Sequence, residues 1–165
     1  MSESATTPVV PEALVHDACG GTPHREAWLA LARAHAAITG RMQEALTAAG
    51  LPPLAWFEVL ATISEAPERQ LRMGELAEAL VITRGGLTKL VDRLIKAGLL
   101  ERTFCATDRR VSYATLLPAG AELLEEMRPV VGAELDVAFD GNLSAGEAEQ
   151  LREALERLRG SACDA

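Results

Sequence analysis

One stretch of this chain, "TRGGLTKLVDRLIKAGLLERTF" from Thr83 to Phe104, leaves few folds open. Leu87, Leu90, Val91 and Leu94 fall at i, i+3, i+4 and i+7, which commits one side of a helix to a core. Thr83 has a hydroxyl able to accept an orphan N–H of a first helical turn. Gly98 is the residue type that ends a helix in the left-handed conformation. The spacing therefore predicts a helix over residues 84–97, with Arg84, Gly85, Thr88, Lys89 and Asp92 on or near its other side. Adjacent glycines, Gly85 and Gly86, stand in its first turn. Each costs about 1 kcal/mol relative to alanine in a helix interior, so the pair asks for a reason. After Gly98 the pattern switches to two extended runs, "LLERTF" and "RRVSYATLL", joined by "CATD", which read as a β-hairpin.

Upstream, "MGELAEAL" fits a short helix over residues 73–80, and "LPPLAWFEVLATISEAP" a helix that starts after a proline pair and ends before Pro67. From about His24, Trp28, Leu31, His35, Ile38, Met42, Ala45 and Ala49 alternate steps of three and four, one stripe on a long helix closed by Gly50. Beyond the hairpin, Pro118 opens a helix carrying Leu123, Leu124, Met127, Val131 and Leu135, which Pro129 is expected to kink or break. Ser144 and Glu147 form a capping box, and the helix they open carries Ala148, Leu151, Leu155 and Leu158, a helix-pairing stripe. Residues 1–23, with Gly20-Gly21 and no sustained period, read as a flexible tail.

The chain carries a net charge of -8, which counts against a nucleic-acid partner unless the charge is unevenly placed. It is: between Arg69 and Arg110 nine basic residues face five acidic ones, a surplus of four inside a body that is otherwise acidic by twelve. No apolar run reaches the roughly 18 to 20 residues that a membrane span needs, and the first residues lack a basic and then apolar leader pattern. The expected location is the cytoplasm. Three widely separated cysteines form neither a disulfide framework nor a zinc motif. Cys19 with His16 and His24 matches no standard metal spacing, and neither a phosphate loop nor a nucleophile elbow is present. The chain reads as a non-enzyme without metal or cofactor.

Two short helices, the second with a basic outward face, followed by a hairpin, are the order of a winged helix-turn-helix. At this level the sequence resembles the MarR (multiple antibiotic resistance regulator) family of bacterial transcription factors. "MGELAEAL" is similar to that family's first motif helix, "TRGGLTKLVDRLIKAGLLER" to its recognition helix and following strand, "DRR" at 108–110 to the D-x-R of its wing, and "LLPAGAELLEEM" to its L-T-x-x-G segment. The resemblance runs from about residue 24 to 159. Val81 stands where the family often has glycine, and Leu117 where it has threonine, which removes a hydroxyl cap. The implied fold is mainly α with a small β-hairpin wing. Residues 24–160 form one domain, with a winged helix-turn-helix lobe at 54–117 and dimerisation helices at 24–50 and 118–160.

The resemblance implies a DNA-facing set: Thr83, Arg84, Gly85, Gly86, Thr88, Lys89 and Arg93 on the recognition helix, and Asp108, Arg109 and Arg110 in the wing. Arg84 then reads a guanine bidentately and Thr88 a base edge, Lys89 and Arg93 meet phosphates, and Arg110, oriented by Asp108, enters a minor groove. The alternative is a pair of glycines that relieve helix packing beside solvated charges. Trp28, His35 and Trp56 are candidates for a pocket taking a small aromatic or phenolic effector, or else a core histidine with packing tryptophans. Cys105 is a candidate redox thiol, or a half-buried small residue. The function implied is a homodimeric, ligand-responsive repressor on a pseudo-palindromic DNA operator. The alternative is a winged-helix protein-interaction module that binds no DNA, since a fold does not fix a function.

Overall fold

The computed structural model describes residues 22–80, 82–104 and 111–163. The expectations for His16, Cys19, Val81, Cys105, Asp108, Arg109 and Arg110, and for the side chain of Arg84, lie outside the described residues. Within them, six helices and a three-stranded sheet form. The helices are α1 (Pro23–Ala48), α2 (Leu54–Ser64), α3 (Met73–Ala79), α4 (Arg84–Lys96), α5 (Pro118–Phe139) and α6 (Ala145–Cys163). The strands are β1 (Gln70–Arg72), β2 (Leu100–Phe104) and β3 (Ser112–Leu116), antiparallel in the order β1-β3-β2. The fold is thus mainly α with a small β wing, a winged helix-turn-helix.

Two compact units meet in sequence at Met42, with α1 running through the division. Upstream, the described part is α1 as far as Arg41, a largely exposed helix. In the downstream unit the core is built from one face of each element: Val59, Leu60 and Ile63 from α2, Leu76 from α3, Leu87, Val91 and Leu94 from α4, Leu100, Ala114 and Leu116 from the sheet, and Leu124 from α5. Each such large side chain stabilises the fold by about 1.5–3 kcal/mol when taken fully from water. Leu90 is half-buried at the edge of that core.

Glycines set two of the helix ends. Gly50 (φ +71) and Gly98 (φ +73) occupy the left-handed region that a Cβ disfavours. At each the chain closes a Schellman turn: Leu51 N donates to Leu46 O at 2.9 Å and Gly50 N to Thr47 O at 3.1 Å, and Leu99 N donates to Leu94 O at 3.0 Å and Gly98 N to Ile95 O at 2.9 Å.

Three expectations are corrected. The sheet has a third strand, β1, and β3 begins at Ser112, not at Arg109. Pro129 does not break α5, which continues from Pro118 to Phe139. Leu124, Met127 and Val131 are buried on both sides of the proline, and burial on that scale offsets the roughly 3 kcal/mol that an interior proline costs. His35 is not a core histidine: in the single chain it is exposed.

Candidate nucleic-acid interface

The first turn of α4 explains one of its two glycines. Thr83 caps the helix, its Oγ1 accepting from the Gly86 N–H at 3.2 Å. A Cβ on Gly86 would press on that cap, 3.1 Å from Thr83 Oγ1 and 3.2 Å from Ile82 Cγ2. Gly85 differs, because a Cβ there meets nothing within 4 Å. No close approach among the described residues therefore requires a glycine at 85. Gly85, Gly86, Thr88, Lys89 and Arg93 are all exposed, while Leu87, Val91 and Leu94 are buried. The helix so presents a continuous outward face: small at its N-terminal end, basic one turn further on.

The wing is fixed to this helix from behind. In β2, Leu100 and Arg102 share a face of the sheet, since side chains alternate; Leu100 is buried. Arg102 Nη2 lies 3.0 Å from Asp92 Oδ1 of α4. This is an ion-pair separation without hydrogen-bond alignment, and Arg102 Nε is buried with no acceptor among the described residues. The half-buried Arg102 is thereby paired across β2 and α4 with an acid that is itself half-exposed, a contact worth at most about 1 kcal/mol. Sequence reasoning placed Asp92 near the outward face and did not single out Arg102. The readable signal was a lone acid on a basic helix followed by an arginine in register with a buried strand residue.

The opposite face of the sheet is polar and cross-linked. Gln70 Nε2 donates to Thr115 Oγ1 at 2.9 Å and to Thr103 Oγ1 at 3.2 Å, tying all three strands together. On the same face Arg72 pairs in register with Tyr113. Its Nε donates to the Tyr113 hydroxyl at 3.3 Å, and its guanidinium carbon stands 5.9 Å from the ring centroid. The Arg72 backbone N–H donates to Glu75 Oε2 at 3.2 Å. Only that half of a capping box forms, because an arginine side chain has no acceptor.

The candidate effector residues fall in different units. Trp28 and His35 lie on α1 upstream of Met42, where Trp28 is 53% exposed. Trp56 lies on α2 and packs against the core. At the C-terminal end the capping box forms as expected, the Ser144 N–H donating to Glu147 Oε2 at 2.8 Å. The Ser144 hydroxyl and N–H together hold the Glu147 carboxyl below its ordinary value. The apolar stripe of α6 is open on the single chain, with Leu158 62% exposed. No helix among the described residues is long and apolar enough to cross a membrane.

This architecture is shared with known proteins. A profile of the MarR family matches residues 49–111. The HTH-type transcriptional regulator MhqR of Bacillus subtilis (strain 168) is 30% identical over 131 residues, covering 79% of this chain and 88% of MhqR. Sco3205, a MarR family transcriptional regulator from Streptomyces coelicolor crystallised in complex with DNA, superposes with a TM-score of 0.76 at 27% identity, covering 85% of this chain and 89% of that one. A cysteine-to-serine mutant of MarR from E. coli complexed with operator DNA superposes with a TM-score of 0.70 at 25% identity, covering 81% of this chain and 93% of that one.

Proposed function

This chain belongs to the MarR family of transcriptional regulators, and we propose that it is a ligand-responsive repressor that binds a pseudo-palindromic operator as a homodimer. The observation that carries the reading is the outward face of α4, where an unfilled Gly85 precedes Thr88, Lys89 and Arg93. The N-terminal residues of a recognition helix meet base edges in the major groove, and a missing side chain lets the backbone approach them. In this reading Arg84 and Thr88 address bases while Thr83 caps the turn and Gly85 and Gly86 let its backbone close on the DNA, Lys89 and Arg93 address phosphates, and Arg109 with Arg110, oriented by Asp108, forms the wing contact. Two relatives of similar fold were crystallised with DNA, one of them with operator DNA.

Duplication follows from the apolar surface that the single chain leaves uncovered. Leu135 and Val137 near the end of α5 and Leu151 and Leu158 on α6 are exposed. Pairing such faces about a two-fold axis makes an isologous interface and places two recognition helices on half-sites about one helical turn, roughly 34–36 Å, apart. Residues 24–50 and 118–160 are the segments assigned to that interface.

The test uses fluorescence anisotropy on an operator selected from random-sequence DNA. Arg84→Ala should lose about 1–3 kcal/mol on the operator and relax one base position. Lys89→Ala should weaken operator and scrambled DNA alike and flatten the salt slope by about 1. An equal loss on both DNAs for Arg84→Ala would contradict its base-reading role.

The effector is assigned to small aromatic or phenolic acids, with Trp28 and His35 of α1 and Trp56 of α2 as separate candidates for contact with it. Salicylate should then quench tryptophan fluorescence saturably and release the operator at the same concentrations. Absence of both responses across a panel of aromatic acids would reject the assignment.

A further inference from the structure

A cavity of about 450 Å³ opens in the downstream unit where α3, α4 and the root of the wing come together. Its wall is formed by Arg72 and the start of α3, by Leu87 and Thr88 of α4, and by Val111 and Ser112 at the root of the wing. Thr88 belongs to the outward face of the recognition helix and is exposed. Ser112 opens the strand that returns from the wing.

The position of this notch is what gives it a role. When a recognition helix fills a major groove and its wing reaches an adjacent minor groove, the sugar-phosphate strand dividing the two grooves must cross the gap between helix and wing. The first helix of such a motif also crosses the backbone. The notch lies between the recognition helix and the root of the wing. Among the described residues Arg72 is the one basic residue of its lining, and its side chain, 56% exposed, leaves the sheet on the Tyr113 face. Its guanidinium is held by the Tyr113 hydroxyl at 3.3 Å and lies 5.9 Å from the ring centroid. Thr88 and Ser112 also belong to the lining, and both residue types donate to phosphate oxygens.

Resting on the DNA-binding reading above, we propose that Arg72, positioned by Tyr113 at the rim of the notch that Thr88 and Ser112 also line, clamps the phosphate strand that separates the two grooves. Two acids, Glu75 and Glu78, share the lining. Glu75 is engaged locally, with Oε2 on the Arg72 N–H and Oε1 3.9 Å from Nε. The contact therefore works through an aimed guanidinium and hydroxyls, not through a diffuse positive field. A fork-shaped donor held against an aromatic ring suits that task better than a lysine does.

A phosphate contact carries no sequence information, so the test needs no known operator. The full-length protein is titrated against a duplex of arbitrary sequence of about 30 base pairs, at several salt concentrations, by fluorescence anisotropy. Each phosphate neutralised contributes about 0.9 to the slope of log affinity against log salt. Arg72→Ala should flatten the slope by that amount and weaken binding roughly three- to tenfold at low salt. Tyr113→Phe keeps the cation and loses only its hydrogen bond, so affinity should fall about twofold with the slope unchanged. Arg72→Lys should restore the slope, which a loss caused by misfolding would not allow. An unaltered slope in Arg72→Ala beside normal wild-type binding would overturn this contact alone, as would failure of lysine to restore it. A wild-type protein that binds no duplex at any salt concentration would overturn the DNA-binding reading and the clamp with it.

Discussion

Gly120→Ala should lower the stability of this protein by about 3 kcal/mol, the upper end of what overpacking costs, and its thermal midpoint by roughly 6–12 °C for a chain of this size. The first turn of α5 lies directly on the base of the wing. A Cβ at Gly120 would overlap the Leu99 carbonyl oxygen and stand 2.8 Å from Leu116 Cδ1. The carbonyl cannot swing away at low cost, because it accepts a hydrogen bond from the Leu117 N–H at 3.0 Å. Leu99 N is also fixed, closing the turn behind α4 through Leu94 O. Displacing α5 instead would disturb Leu124, which is buried in the shared core. Calorimetry or circular dichroism measures the shift. A change of less than about 2 °C would show that the helix repacks freely over Leu99, and that the glycine is not required by close approach.

The same residue shows where sequence reading reached and where it stopped. The L-x-x-x-G spacing at Leu116–Gly120 was legible as part of a resemblance, yet nothing in the one-dimensional pattern said that a carbonyl from the preceding turn would lie above the glycine. The ends of α4 were legible in physical terms, since Thr83 and Gly98 are strong local signals and both cap as expected. The strand β1 was not. It has only three residues, too few to show alternation, and the turn before it uses Glu68 (φ 56) and Arg69 (φ 51), without the glycine that normally marks positive φ. Pro129 misled for the opposite reason: its local rule is strong, and packing distributed over α5 prevails against it. Of the interface, the outward face of α4 was readable because periodicity separates it from the buried face. The Arg102–Asp92 pair and the Arg72–Tyr113 contact were not, because each joins residues on different elements whose register only the folded sheet sets.

Gly85 offers the sharpest separation between folding and DNA binding, because substitutions there should move the two in opposite directions. A Cβ at this position meets nothing within 4 Å among the described residues. Gly85→Ala removes a glycine from a helical turn and should therefore raise stability by about 0.5 kcal/mol, less than the full interior value because the position lies at the helix end. Gly85→Leu should be at least as stable as the natural protein. If the backbone of this turn approaches base edges as proposed, the leucine would hold the helix away from the groove. Breaking two base-edge interactions of bidentate quality, each worth about 1–3 kcal/mol, amounts to a fall in operator affinity on the order of 100-fold. Its neighbour is the internal control. Gly86→Ala presses on Thr83 Oγ1 and Ile82 Cγ2 and should lower stability by up to about 1 kcal/mol through the strained cap. Paired thermal melts and operator titrations on the three variants read both quantities. Gly85→Leu that is stable and still binds the operator like the natural protein would remove this turn from the DNA interface. Thr88 would then be the one base contact left to α4, beside Lys89 and Arg93 on phosphates.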